Sequence, residues 1–318
     1  MLLHRPSRPS RFSRPRLLVV GCGDVGLRVV RLLRGRFRLI VLTRDAARRD
    51  ALRAAGAVPI VGDLDAPATL MRLAGLCGAV LHLAPPPAEG DTDRRTAALL
   101  AALARRGPPA RLVYISTTGV YGDAGGALFD ETRPPRPATD RARRRVDAER
   151  RVRLFGRAFG VCATILRVPG IYAFDRPGGD PRERLRRGTP VLRAEDDVHT
   201  SHIHADDLAR ACVAALFRGR PQRVVHVADD TRLKMGDHFD LVAALSGLPR
   251  PPRIGRAEAE ARFSPVQRSF MSESRQLVNR RMKRELRLRL RYATVADGIE
   301  KQPAEQDFRP ATRGSRQV

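Results

Sequence analysis

The chain of 318 residues has no tryptophan, four tyrosines, four cysteines and, among its 60 basic residues, only three lysines. Each shortage excludes something. Cys22, Cys77, Cys162 and Cys212 stand tens of residues apart in apolar surroundings and in no C-x-x-C pair. That spacing argues against a disulfide scaffold or a zinc module, so no metal is expected and the setting is a reducing, cytoplasmic one. Few aromatic rings leave little with which to stack nucleic-acid bases. No apolar run is long enough for a signal peptide or a membrane span, and no membrane partner is expected.

Arginine is what the chain has instead, and the formal net charge is +26. Clustered arginines would neutralise a polyanion and release its counterions. Here they are spread from the first line to the last, with no helix-turn-helix, zinc or RNA-recognition signature beside them. We read them as a general preference for arginine at solvated positions, with no specific nucleic-acid partner. Residues 1–15, rich in Arg, Ser and Pro and free of acids, suit a disordered basic arm or a transit peptide; residues 301–318 suit a flexible tail.

Between these ends, short apolar runs alternate with helical patterns. RLLVV, FRLIVL, VPIVGDL, GAVLHLA, RLVYIST and CATILRV are nearly continuous, as parallel strands covered on both faces require. VGLRVVRLLRG, DAARRDALRAAG, PATLMRLAGL, TAALLAALARRG and the arginine-rich TDRARRRVDAER lie between them at helical spacing. Six alternations without a hairpin signal predict an α/β fold, a Rossmann-type doubly wound parallel sheet over residues 16–168. Beyond Pro169 the order changes. Strand candidates VHTSHIH and RVVHVAD, with helices at DDLARACVAAL, 236–246 and 274–286, predict a small C-terminal substrate lobe over residues 169–300, interleaved with the last sheet strands.

GCGDVG joins the first strand to the first helix and places Gly21, Gly23 and Gly26 in G-x-G-x-x-G spacing. The first glycine permits the turn, the second admits a pyrophosphate, and the third lets helix and strand approach. The amides of Asp24 and Val25 then face the phosphates at a helix N-terminus. The second strand ends in Thr43-Arg44 rather than in an acid. That removes the usual ribose-hydroxyl acceptor and supplies a cation for a 2′-phosphate, which favours NADP; Asp45 next door keeps NAD open. Asp63, at the end of the third strand, suits the adenine amino group or a helix N-cap.

VYISTTGVYGD carries a more particular signature. Ser116-Thr117-Thr118 followed by Val120-Tyr121-Gly122 resembles the S-S-x-x-V-Y-G segment of extended short-chain dehydrogenases/reductases, the NAD-dependent epimerase/dehydratase family. HLAPPP is similar to the family's fourth-strand loop beside the cofactor, ILRVPGIY to its R-P-x-x-x-Y-G segment, and SHIHADDLA and VVHVADD to two later junctions. The closing stretch from Ser269 to Ile299 resembles the end of an atypical branch, so the likeness covers roughly residues 16–300.

The resemblance implies a nicotinamide cofactor, with Leu83, Ala84 and Pro169 beside it, and nucleotide-sugar or other small carbonyl and alcohol substrates. It also implies a Ser/Thr at the end of the fifth strand and a Y-x-x-x-K pair on the next helix, where tyrosine acts as acid/base and lysine holds the ribose. Aligning Asp147 to Glu149 with the family's usual ending of that helix puts Arg141 in the tyrosine position and Arg145 in the lysine position. Arginine stays ionised and is a poor proton donor. Thr117 remains as the substrate-polarising hydroxyl and Tyr121 as the nearest phenol for proton transfer. Arg145 is left to bind ribose or phosphate. Thr118, Arg141 and Tyr172 are expected at the substrate, with Arg141 orienting an anionic one. His82 is expected to flank the cofactor loop, His204 to pack behind the sheet, and Asp206 and Asp207 to cap a helix. Two readings stay open: an atypical NADP-dependent oxidoreductase or epimerase/dehydratase-like enzyme, and a non-catalytic NADP(H)-binding redox sensor. A homodimer through helices beside the site is the corresponding assembly.

Overall fold

The computed structural model describes residues 14–301, so most of the expected basic arm and of the tail lies outside the described residues. The apolar runs form strands β1 (Arg16–Val20), β2 (Arg38–Thr43), β3 (Val58–Val61), β4 (Ala79–His82), β5 (Arg111–Thr117), β6 (Cys162–Val168) and β7 (Arg223–His226). They make one sheet in the order β7-β6-β5-β4-β1-β2-β3, with every neighbouring pair parallel. The strand order reverses at β1, between β4 and β2. A crevice outside the carboxyl ends of these strands is where such a sheet takes a ligand.

Alternation along each strand feeds two layers. Leu17 and Val19 face one core with helices α1 (Asp24–Leu33), α2 (Arg49–Ala54) and α5 (Ala205–Arg218); Leu18 and Val20 face the other with α3 (Arg94–Ala104) and α4 (Asp140–Phe159). The sequence TDRARRRVDAER is the first half of α4. Thr139 caps it by accepting from the Ala142 amide, and Gly160 ends it in the left-handed region at φ 65°. Ala148, Val152 and Phe155 press its apolar side onto the sheet, so its arginines are left to the cleft and to solvent.

A third core of Tyr172, Leu185, Val191, Met235, Phe239, Val242 and Ile254 builds the C-terminal lobe around helix α6 (Met235–Ser246). Arg28, buried on α1, ties the two parts together. It donates to Asp24 at 3.1 Å, to Asp175 at 2.6 Å and to Asp206 at 2.5 Å.

Three local readings change. The PATLMRL segment is a 3-10 helix (Pro67–Leu73). VHTSHIH contracts to the strand His202–His204, with His199 in an isolated bridge to Lys234. The helix expected over 274–286 is only Arg280–Arg284, because Gln276–Leu277 pairs as a strand with Leu128–Phe129. There the Gln276 and Val278 amides donate to Ala127 and Phe129, so those groups are committed to another segment before a helix can start.

Candidate functional site

β1 ends in the glycine turn. Gly21 has φ +84°, and a Cβ there would lie 2.3 Å from the Ala84 amide nitrogen, so no side chain fits. Gly23 is the N-cap of α1 without a side-chain cap, and a Cβ on it would meet nothing within 4 Å. Backbone there borders open space, and the first amides of α1, Asp24 and Val25, have no acceptor within the helix. The Asp24 carboxylate is turned to Arg28. Gly26 packs closely, since a Cβ there would sit 3.2 Å from Cys22 Sγ and 3.3 Å from Leu83 Cδ1. A cavity of about 620 Å³ opens beside the turn and brings together Gly21, Gly23, Arg44, Asp63, Leu83 and Ala84. A backbone cradle at a helix N-terminus with an adjoining cavity of this size fits a dinucleotide.

The far wall of that cavity is basic. Arg44 is exposed along it, and Arg48 reaches across to donate to the Cys22 carbonyl at 2.8 Å. Asp45 lines it too, but its carboxylate accepts from the Ala47 amide at 2.9 Å and caps a short 3-10 helix. Asp63 accepts from the Asp65 amide at 3.0 Å. The N-cap of the Pro67–Leu73 helix is Ala66, so Asp63 is not that cap. Arg95 holds Asp65 at 2.6 Å and also donates to the Pro86 carbonyl at 3.2 Å, which secures the proline loop.

Pro85 lines both this cavity and a second one of about 420 Å³, walled by Pro86, Pro87, Ala88, Thr117, Arg141, Arg144 and Arg145. Thr117 ends β5 and accepts from the Gly119 amide at 3.2 Å, which leaves its O–H free to donate. Arg145 donates through one nitrogen to the Tyr114 hydroxyl at 3.0 Å and to the Ile115 carbonyl at 2.8 Å. Arg144 is 7% exposed, donates to the Gly90 carbonyl, and has no acceptor for Nε. Arg141 is exposed, with Cζ 4.9 Å above the Phe270 ring. Desolvation pulls its pKa below the usual guanidinium value, with Glu273 opposing and Arg145 assisting.

Other expected site residues lie elsewhere. Thr118 is buried behind the cleft. Pro169, half-buried between β6 and the 170–172 strand, lines neither cavity. Tyr172 is buried in the lobe, donates to the Thr294 carbonyl at 3.1 Å and borders a third cavity with His202, His238 and Arg184. Tyr121 is fully buried. Its hydroxyl accepts from Arg167 at 2.7 Å and lies 2.5 Å from His226 Nε2. His226 Nδ1 faces the Val278 carbonyl at 3.2 Å, so Nδ1 carries the proton and Nε2 accepts from the phenol. Arg167 is gripped in turn by Glu149 at 2.7 and 3.0 Å. Burial pushes the Tyr121 hydroxyl up to about 12. This is a closed network under the sheet edge, and neither cavity reaches it.

His82 is buried below the proline loop and donates through Nε2 to Thr96, whose hydroxyl is itself given to Asp93 at 2.7 Å. His204, not an aspartate, caps α5 by accepting from the Asp206 amide at 3.2 Å. Asp206 goes to Arg28, and Asp207 accepts from the amides of Arg291 and Tyr292. Sequence reasoning passed over Tyr114, Arg48 and Arg144. Only Tyr114 had a local signal, its place on the α4-facing side of β5.

The sequence model described as the NAD dependent epimerase/dehydratase family matches residues 17–228. A solved structure of a functionally unknown conserved protein from Silicibacter pomeroyi DSS is 31% identical, covers 90% of this chain and 97% of its own, and superposes with a TM-score of 0.74. UDP-glucose 4-epimerase from Thermotoga maritima, solved with UDP-glucose, is 20% identical with a TM-score of 0.73 and coverage of 90% and 96%. UDP-glucuronic acid 4-epimerase from Bacillus cereus, solved with UDP-glucuronic acid and NAD, is 17% identical with a TM-score of 0.72 and the same coverage. At these identities the two epimerases show the fold alone. No curated protein sequence matches the chain. With the family's sequence model spanning most of the parallel sheet and well over half of the residues, the chain belongs to the NAD dependent epimerase/dehydratase family.

Proposed function

We propose that the protein is an NADP-dependent oxidoreductase or epimerase/dehydratase-like enzyme that acts on a small carbonyl, alcohol or sugar-nucleotide-type substrate without the Tyr-x-x-x-Lys pair. One observation carries this reading. The cavity at the glycine turn shares Pro85 as a wall with a second cleft, and Thr117 at the end of β5 lines that cleft.

In this reading the amides of Asp24 and Val25 hold the pyrophosphate over Gly21 and Gly23, while Gly26 keeps α1 close. Leu83 and Ala84 flank the dinucleotide, Asp63 accepts from the adenine, and Arg44 with Arg48 binds the 2′-phosphate. Arg145, fixed at the end of β5, takes the ribose. The bound cofactor would supply or accept hydride. Thr117 donates a hydrogen bond to the substrate oxygen, and water exchanges the proton that a tyrosine would otherwise handle. The closed network around Tyr121 supports a packing role for it, and the burial of Thr118 and Tyr172 does the same for those two. The free thiols Cys22, Cys77 and Cys212, all buried, support a reducing, cytoplasmic setting. Leu154 and Phe159, 51% and 47% exposed on α4, support a homodimer through that helix, which sedimentation would show.

The test is a fluorescence titration with NADPH and NADH followed by a steady-state scan over a carbonyl panel. Tighter binding of NADPH, and turnover abolished by Thr117→Ala, support the enzyme. A second reading, a non-catalytic NADP(H)-binding redox sensor, draws on Arg141 standing where the tyrosine is expected. Tight binding with no turnover on any substrate would select it.

A further inference from the structure

We propose that the cleft at the end of β5 is an oxyanion site, built by Arg141, Arg144 and Arg145, which selects substrates carrying a carboxylate or phosphate group. The proposal rests on the reading that Thr117 marks the reacting end of that cleft.

The other two arginines buried as deeply as Arg144 come with carboxylates. Arg28 has three aspartates, and Arg167 has Glu149. Arg141, Arg144 and Arg145 differ. They wall one cavity of about 420 Å³, and among the described residues none of them has a carboxylate within ion-pair distance. Arg145 spends one nitrogen on Tyr114 and Ile115, Arg144 spends one on Gly90, and Arg141 rests on an aromatic face.

The second observation is the state of Arg144. It is more than nine-tenths buried, it lines the cavity, and its Nε has no acceptor. A buried charged donor left unmet is costly, and an acceptor brought by a ligand removes that cost. Three guanidiniums also repel one another in a partly desolvated cleft, and the carboxylate that acts on Arg141, Glu273, is already paired with Arg275 at 2.5 Å. Planar forked donors match carboxylate and phosphate oxygens, whereas a neutral polyol offers no charge to balance them. The ligand is therefore an acidic or phosphorylated carbonyl or hydroxyl compound, its anion against the arginines and its reacting oxygen toward Thr117.

Calorimetric titration of the full chain at fixed ionic strength, with and without saturating NADPH, tests this. The probes are malonate, inorganic phosphate and the neutral analogue malonamide. One anion should bind saturably at one site per chain while malonamide does not. Its affinity should fall about tenfold or more in Arg144→Gln and in Arg141→Gln, the scale of one charge-assisted hydrogen bond, and stay unchanged in Arg36→Gln. Arg141 is exposed, so that variant tests the site even if Arg144→Gln fails to fold. Preference for malonate assigns a carboxylate substrate, and preference for phosphate a phosphorylated one. No saturable binding of either anion, equal binding of malonamide, or an equal loss in Arg36→Gln overturns the proposal. NADPH affinity is read separately by nicotinamide fluorescence. A protein that binds malonate but no NADPH keeps this site and loses the cofactor reading; one that binds NADPH but no anion does the reverse.

Discussion

Arg145 donates to the Tyr114 hydroxyl and to the Ile115 carbonyl with one nitrogen, so its guanidinium is anchored to the second half of β5 rather than left free in the cleft. Tyr114 is wholly buried and burial pushes its phenol up to about 12, so it serves Arg145 as a neutral support. Arg141, four residues earlier on α4, rests on Phe270 instead. The two helix positions are thus occupied by guanidiniums, a group that is a poor proton donor.

Restoring a titratable pair is therefore the direct test of what the cleft lacks. The double variant Arg141→Tyr with Arg145→Lys is expected to raise kcat, on whichever carbonyl substrate the wild type turns over, on the order of 10²-fold. The gain should follow the ionisation of a single acid in the kcat–pH profile. An unchanged kcat, with NADPH affinity retained, would show that proton transfer does not limit the wild type.

Much of the frame was legible in the sequence because its signals are local. Continuous apolar runs gave parallel strands, and glycine spacing placed the turn at the end of β1. The register of Asp147 to Glu149 put Arg141 and Arg145 over the end of β5. Arg144 was not legible: it is one of five arginines in twelve residues, and its burial depends on the Gly90 carbonyl, 54 residues away. Tyr121 was placed at the cleft by its nearness to Thr117 in sequence. Its actual partners, Arg167 and His226, come from β6 and β7, 46 and 105 residues on, and they draw the phenol under the sheet edge. The helix expected over 274–286 misled for the same reason, since pairing with Leu128–Phe129 overrides local propensity.

Tyr121→Phe separates the network from the chemistry. Removing the hydroxyl leaves an Arg167 donor and the His226 acceptor unmet in a buried setting, which costs about 1–3 kcal/mol of stability. Turnover by the folded variant should change less than about threefold, because the phenol lines neither cavity; a loss on the order of 10²-fold, the scale of general acid catalysis, would return Tyr121 to that role.

Cofactor choice should rest on Arg44. It is exposed on the cavity wall, while the neighbouring Asp45 is engaged in capping the Ala46–Arg48 helix. Arg44→Ala should weaken NADPH by about tenfold, the scale of one charge-assisted contact, and leave NADH within about twofold. Equal weakening of both, in the same fluorescence titration, would place Arg44 away from the 2′-phosphate.

Acid should destabilise the fold from about pH 6.5 downward, because several histidines are buried in neutral form. Burial holds His82 and His226 down to about 3 and His202 to about 4, and drives His238 well below its ordinary value. Each has a partner suited to a neutral ring or none at all: His82 gives Nε2–H to Thr96, His226 accepts a hydrogen bond at Nε2 from the Tyr121 hydroxyl, and His202 and His238 stack with centroids 4.1 Å apart. A histidine whose folded pKa lies below its unfolded value of about 6.5 is stabilising in full above that value. Between about pH 6.5 and 4 the unfolded chain binds protons that the native chain refuses, so stability falls as pH falls. Urea unfolding across that window should show a net proton uptake on unfolding that grows from pH 6.5 to 5, and His238→Phe, which keeps the ring stack without the titrating group, should lower the uptake by about one. A denaturation midpoint that stays level from pH 6.5 to 5 would mean that these rings accept protons in the folded state.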